Sequence, residues 1–183
     1  MNKMSIVEAV QGVLGGTKVQ AEQVVDMVFD TIVKGLKKGD EVKMEGPFGN
    51  FIIGDNKEPV FIAGGVGITP FMSMLKDNSE NKIKRKITLI YASKTEKDII
   101  FKKDIDSIKG VWLKIIYVLS EEDTHGKYEF GRINKEILVK YVGNFEGKKF
   151  YICGPEGMKN AVSQTLKELG IKKENIKFED FFW

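Results

Sequence analysis

The chain has 183 residues, 42% hydrophobic and 30% charged, the balance of an ordinary globular protein with material for one good core or two small ones. Its net charge of +3 is spread over interspersed acidic and basic residues, so charge alone implies no polyanionic partner. Cys153 is the single cysteine, which excludes intrachain disulfides, zinc fingers and cysteine-ligated iron–sulfur clusters; no apolar run approaches the roughly 18 residues of a membrane span, so no membrane partner and a cytoplasmic location are expected.

Residues 5–14 place Ile6, Val7, Val10, Val13 and Leu14 on one helical face, and Gly12, Gly15 and Gly16 weaken the end and make the turn. Thr17 and Gln20 have capping-box spacing for a second helix. Its apolar stripe runs through Ala21, Val24, Val25, Val28, Phe29, Ile32 and Leu36, and Gly39 stands as its C′ residue after Lys37 and Lys38. Val42 and Met44 then alternate with Glu41, Lys43 and Glu45 as an antiparallel strand would. The segment is a helical hairpin running into a strand, with a stripe that needs a partner.

From Gly46 the pattern changes. Val60 to Ala63 is an apolar run without alternation, as in a strand covered on both faces. Gly64, Gly65 and Gly67 let the chain turn sharply, Thr69 suits an N-cap and Pro70 suits the first helical position. A short helix through Phe71, Met72, Met74 and Leu75 follows, then a polar loop from Asp77 to Arg85. Strands are expected at Ile87 to Ala92, Trp112 to Leu119, Phe150 to Cys153 and Ile176 to Phe181. Helices are expected through Ile99, Phe101, Ile105 and Ile108, over Ile133 to Tyr141, and along Met158, Ala161, Val162, Leu166 and Leu169 up to Gly170. Glu121 to Phe130 reads as polar loop, and His125 within it as a surface residue.

Strands alternating with helices argue an α/β fold: a doubly wound five-stranded parallel sheet, order 3-2-1-4-5, preceded by the helical hairpin and short strand. In such sheets ligands sit at the carboxyl ends of the strands where the winding reverses. For this order strands one and four are neighbours there. Their ends are Gly64-Gly65-Val66-Gly67 and Cys153-Gly154-Pro155, so two backbone-exposing turns meet where a ligand should bind.

Two resemblances divide the chain. EAV (8–10), AE (21–22), VVD (24–26), VFDTIV (28–33) and LKKGDEVK (36–43) make residues 1–45 similar to the N-terminal half of bacterial HU-type histone-like proteins. Members are intertwined dimers that grip DNA with long basic β-arms. Neither the arms nor the closing helix follow here, so the resemblance implies a homodimer through the N-terminal helices more than a grip on DNA. Lys3 and Lys18 either touch phosphates or are simply solvated.

Residues 46–183 resemble the NAD(P)-binding domain of the ferredoxin–NADP reductase superfamily through GPFGNF (46–51), AGGVGITP (63–70), YASKTEKDIIF (91–101), GRI (131–133), YICGPEGM (151–158) and FEDFFW (178–183). The resemblance implies NAD or NADP as cofactor. Gly64, Gly65, Gly67, Thr69 and Pro70 would cradle the pyrophosphate and nicotinamide side, and Ser93 and Lys94 the adenosine ribose. Cys153, Gly154 and Pro155 would border the nicotinamide, with Met158 also binding the cofactor. Glu179 would fall near a carboxylate at the hydride-transfer centre, which makes Cys153 and Glu179 the catalytic candidates, and the C-terminal aromatics, Trp183 among them, would stack on a flavin, FAD or FMN. Lys94 favours a 2′-phosphate, whereas Glu96 and Asp98 oppose one.

Complete relatives carry a flavin barrel with an Arg-x-Tyr/Phe-Ser/Thr motif; only its last segment, Leu36 to Phe51, has a counterpart here. That stretch fits both family patterns, as a chimeric join would. The resemblance therefore implies a pyridine-nucleotide oxidoreductase domain passing hydride between NAD(P)H and a flavin and electrons onward to an acceptor protein. An HU-like architectural protein and an inactive scaffold are the alternatives. The residues alone also admit plainer roles: Cys153 as a small buried thiol, Ser93 and Lys94 as a solvated turn, Phe181, Phe182 and Trp183 as cover for a sheet edge.

Overall fold

Every residue of β1, Val60–Gly64, is buried, because the strand lies at the middle of a sheet covered on both faces. The computed structural model describes Val7, Gln11, residues 17–35, Asp40, residues 51–81, Ile83, residues 85–108 and residues 110–179. The chain divides into two compact units, Met1–Gly49 with Phe181–Trp183, and Asn50–Asp180.

In the first unit α1 spans Lys18–Gly35. Its start is the expected capping box: Thr17 N–H donates to Gln20 Oε1 at 2.9 Å, and Gln20 N–H donates to Thr17 Oγ1 at 3.3 Å. Val7, in helical conformation, is buried with Ala21 and Val25 in a small apolar cluster. Farther along the stripe Val28 and Phe29 are about half exposed. The expected C′ residue Gly39 and the strand around Val42 and Met44 lie outside the described residues.

The second unit is a parallel sheet of six strands in the order β4-β3-β2-β1-β5-β6. Its elements in chain order are β1, α2 (Thr69–Glu80), β2 (Ile87–Ser93), α3 (Lys102–Ser107), β3 (Leu113–Leu119), β4 (Glu129–Phe130), α4 (Lys135–Val142), β5 (Phe150–Cys153), α5 (Glu156–Glu168) and β6 (Ile176–Glu179). Every pairing is parallel. One face of the sheet carries Val60, Ile62, Ile90, Val118 and Ile152 against Leu138, Val142, Val162 and Leu166 of α4 and α5. On the other face Phe61 stacks on Phe71 of α2 at 4.7 Å between ring centroids and meets Tyr151 edge-on at 5.8 Å. The winding reverses between β1 and β5, as expected.

Four expectations need correction. The sheet has a sixth strand: Glu129–Phe130, read as loop, pairs with Val118–Leu119 at the edge. Two residues carry no periodicity, and here side chains hold them, since Glu129 accepts hydrogen bonds from Lys140 and Tyr141. The helix after Pro70 runs on through Asp77 to Glu80, with Asn78 buried and Asn81 Nδ2 donating to Asp77 Oδ1 at 2.7 Å. The helix expected from Ile99 is only Lys102–Ser107, because Glu96–Asp98 forms its own 3₁₀ turn and Phe101 adopts a left-handed φ of +56°. Thr69 is not an N-cap. A 3₁₀ turn over Gly65–Ile68 runs straight into α2, and the Thr69 hydroxyl donates back to the Val66 carbonyl at 3.1 Å. Pro70 stays in the first turn, where its missing N–H is not needed.

Candidate functional site

At the carboxyl ends of the strands lies a cleft of about 550 Å³, within the range of small-molecule sites. Gly64 and Gly65 form its wall at the end of β1, Ala92, Ser93 and Lys94 at the end of β2, and Ser120 at the end of β3. Gly131, Arg132 and Ile133 close it beyond β4, and Pro155, Gly157, Met158, Ala161 and Val162 supply the side formed by α5. Six residues assigned from the sequence therefore share one cavity: Gly64, Gly65, Ser93, Lys94, Pro155 and Met158.

The glycines divide into two kinds. Gly65 has a φ of +52°, which L side chains avoid, and a Cβ there would meet nothing within 4 Å. It gives the turn its shape and leaves the cleft open. Gly64, Gly67 and Gly154 instead let chains approach. A Cβ on Gly64 would stand 2.7 Å from Met158 Sδ and 2.9 Å from Pro155 Cδ, one on Gly67 would stand 2.2 Å from the Cys153 carbonyl oxygen, and Gly154 packs on Gly64 in the same way. At these three positions a methyl group has no room, which is what lets the two turns pack against each other.

Gly67, Thr69, Pro70, Cys153, Gly154 and Glu179 do not line this cleft. Cys153 is fully buried and pairs in register with Ala63 on one side and Glu179 on the other. Trp183 and the segment 41–50 lie outside the described residues, and with them the expected flavin contacts.

The polar groups of the cleft differ in their commitments. Ser93 Oγ is shielded from solvent and makes no hydrogen bond of ordinary geometry among the described residues, though it faces the Tyr91 hydroxyl, so it keeps capacity that a ligand hydroxyl would use. Lys94 Nζ lies 3.0 Å from the Glu121 carboxylate, and both side chains are exposed. Asp98 accepts from the Thr95 amide at 3.0 Å and the Thr95 hydroxyl at 2.7 Å. Glu96 faces away into its own group: Lys127 and the Tyr128 hydroxyl donate to it and hold its carboxyl below the usual range. Of the two carboxylates expected to oppose a 2′-phosphate, only Asp98 borders the cleft.

Three groups went unassigned in the sequence. Arg132 is a cation in the cleft wall, within the GRI stretch but given no role there. Ser120 follows β3 with no motif around it. The Tyr91 hydroxyl donates to the Gly65 carbonyl at 2.9 Å, a role that its place in an apolar strand conceals. Among the described residues no group of His, Cys, Asp and Glu is arranged to hold a metal ion.

A doubly wound sheet with a glycine turn and a second small-residue turn flanking such a cleft is the architecture of a dinucleotide-binding domain. The family described as "Oxidoreductase NAD-binding domain" matches residues 61–164, and the chain belongs to that family. Residues 1–60 match the family described as "Bacterial DNA-binding protein". The chain is 34% identical over 164 residues to the F subunit of the Na(+)-translocating NADH-quinone reductase of Serratia proteamaculans, covering 84% of this chain and 40% of that protein. It thus spans about two fifths of the length of such relatives.

Among solved structures, the cytochrome b5 reductase domain of Ulva prolifera nitrate reductase superposes with a TM-score of 0.68 at 26% identity, covering 82% of this chain and 65% of that one. The FAD/NAD-binding domain of nitric oxide dioxygenase from Vibrio cholerae gives a TM-score of 0.66 at 25% identity, covering 74% of this chain and 56% of that one. The chain is an NAD-binding, ferredoxin reductase-like oxidoreductase domain. No helix among the described residues is long and apolar enough to cross a membrane.

Proposed function

We propose that the second unit binds NADH and presents its nicotinamide to a flavin, as one half of a flavin-linked NADH oxidoreductase. The observation that carries the reading is the meeting of the Gly64–Gly65 turn with the Pro155–Met158 wall at the winding reversal. When bound, the nicotinamide would supply a hydride, which a flavin accepts and passes on as single electrons to an acceptor protein. This chain's own residues orient the nucleotide. Gly65 leaves the backbone open to the pyrophosphate, Ser93 Oγ offers a hydroxyl to the ribose, Arg132 offers positive charge, and Met158 and Pro155 give an apolar wall to the nicotinamide ring.

Isothermal calorimetry with NADH tests the reading. Saturable binding with one nucleotide per chain is expected, and its absence would overturn the proposal. A visible absorption spectrum of the freshly purified protein tests the flavin: the bands of an oxidised flavin are expected if this chain holds it, and a colourless protein that still binds NADH would assign the flavin to another polypeptide.

The first unit supports a second role, pairing two copies of the chain. Val28 and Phe29 stand about half exposed on α1, and residues 1–60 match a DNA-binding family. Sedimentation should show a dimer that Phe29→Glu dissolves. Salt-dependent duplex binding would add a DNA role, and a monomer at all concentrations would sink the pairing.

A further inference from the structure

Tyr91 lies in β2 with its side chain fully buried, yet its hydroxyl has two backbone partners. It accepts from the Ile100 N–H at 3.1 Å and donates to the Gly65 carbonyl at 2.9 Å. A carbonyl oxygen can only accept, so the phenolic hydrogen goes to Gly65, while the Ile100 N–H and the Ser93 side chain face the oxygen's lone pairs. The Ile100 end is itself held, because Thr95 and Asp98 cap the preceding turn and Phe101 sits at a left-handed φ.

The Gly65 end is the one that could move. Gly65 has open space where a side chain would be, and glycine rotates its neighbouring peptides at small cost. In a trans peptide the C=O and N–H point in opposite directions, so the Gly65 carbonyl and the Val66 N–H are fixed together. Gly65 lines the cleft and Val66 follows it outside the lining, so turning the plane they share would exchange an N–H for a carbonyl oxygen at the edge of the cleft. Facing an anion, the exchange replaces attraction with repulsion.

We propose that Tyr91 is a positioning residue for the dinucleotide: its hydroxyl holds the Gly65–Val66 peptide so that the Val66 N–H, and not the Gly65 carbonyl, is presented to the pyrophosphate. This rests on the dinucleotide reading of the cleft.

Tyr91→Phe removes the hydroxyl and keeps the ring. The Kd for NADH by calorimetry should rise roughly tenfold, the size of one lost well-oriented hydrogen bond to a charged group. A packing role alone would lower the thermal midpoint without altering the amide, so the discriminating readout is the Val66 amide resonance by NMR. On adding ADP-ribose, a ligand with the pyrophosphate but no nicotinamide, it should move downfield in the wild type and stay in place in the variant. A Kd within twofold of wild type, or the same Val66 shift in both proteins, would overturn the proposal. If the variant unfolds, the wild type still decides, since a Val66 resonance unmoved by bound ADP-ribose overturns it. A wild type that binds neither NADH nor ADP-ribose is a separate result: it removes the dinucleotide reading and this inference with it.

Discussion

Gly67 lies so close to Cys153 that a Cβ on it would stand 2.2 Å from the Cys153 carbonyl oxygen and 2.7 Å from the Gly154 nitrogen. Both neighbours are backbone, so nothing flexible can yield. Gly67→Ala should therefore push the 3₁₀ turn off the end of β5 and cost about 3 kcal/mol or more. Gly65→Ala meets no neighbour and carries only left-handed strain, about 1–2 kcal/mol. Urea unfolding of the two variants checks the order; Gly65→Ala proving the more damaging would refute this division of the glycines.

Arg132 should matter to affinity more than to stability. It lines the cleft beyond β4 without belonging to the apolar core. Removing a charge-assisted hydrogen bond to a phosphate costs about 1.5–3 kcal/mol, so Arg132→Gln should raise the Kd for NADH by roughly tenfold to a hundredfold, with a thermal midpoint near that of wild type. An unchanged Kd would remove Arg132 from the site.

The pair Lys94 and Glu121 bears on the choice between NADH and NADPH. With its ammonium 3.0 Å from Glu121, Lys94 is partly neutralised toward a 2′-phosphate. Being exposed, the pair adds at most about 1 kcal/mol to stability, so its variants should fold normally. Glu121→Gln should tighten NADPH binding and leave NADH little changed. Lys94→Ala should weaken NADPH more than NADH. Equal effects on the two nucleotides, from either variant, would show that the 2′ position lies elsewhere.

The sheet was legible because its strands are apolar runs with turn residues at both ends: Val60–Gly64 and Phe150–Cys153 leave little choice of element. The cleft followed from topology, since the winding reversal depends on strand order and not on any side chain. What escaped the sequence depends on contacts between distant residues. Tyr91 looks like one more β residue until its hydroxyl is seen against Gly65. Glu129–Phe130 pairs with the edge of β3 while Lys140 and Tyr141, a helix away, hold Glu129. The resemblance places Gly67 in the nucleotide cradle, and only the fold shows that the Cys153 carbonyl lies where its side chain would be.

That hold on Glu129 predicts a pH dependence. Hydrogen bonds from Lys140 and Tyr141 keep its carboxyl below the ordinary 4.5. A carboxyl whose folded pKa lies below its unfolded one contributes stability that is complete above the unfolded value and is lost as pH falls through the folded one. Wild type should therefore exceed Glu129→Gln in unfolding free energy by a constant amount from about pH 8 to pH 5, and the difference should shrink below 4.5. Added salt should reduce the difference, because the Lys140 side chain is largely exposed. Urea titrations of both proteins across that range check the prediction; a difference that grew toward acid would mean that the carboxylate is a burden to the fold and that β4 is held by something other than its two partners.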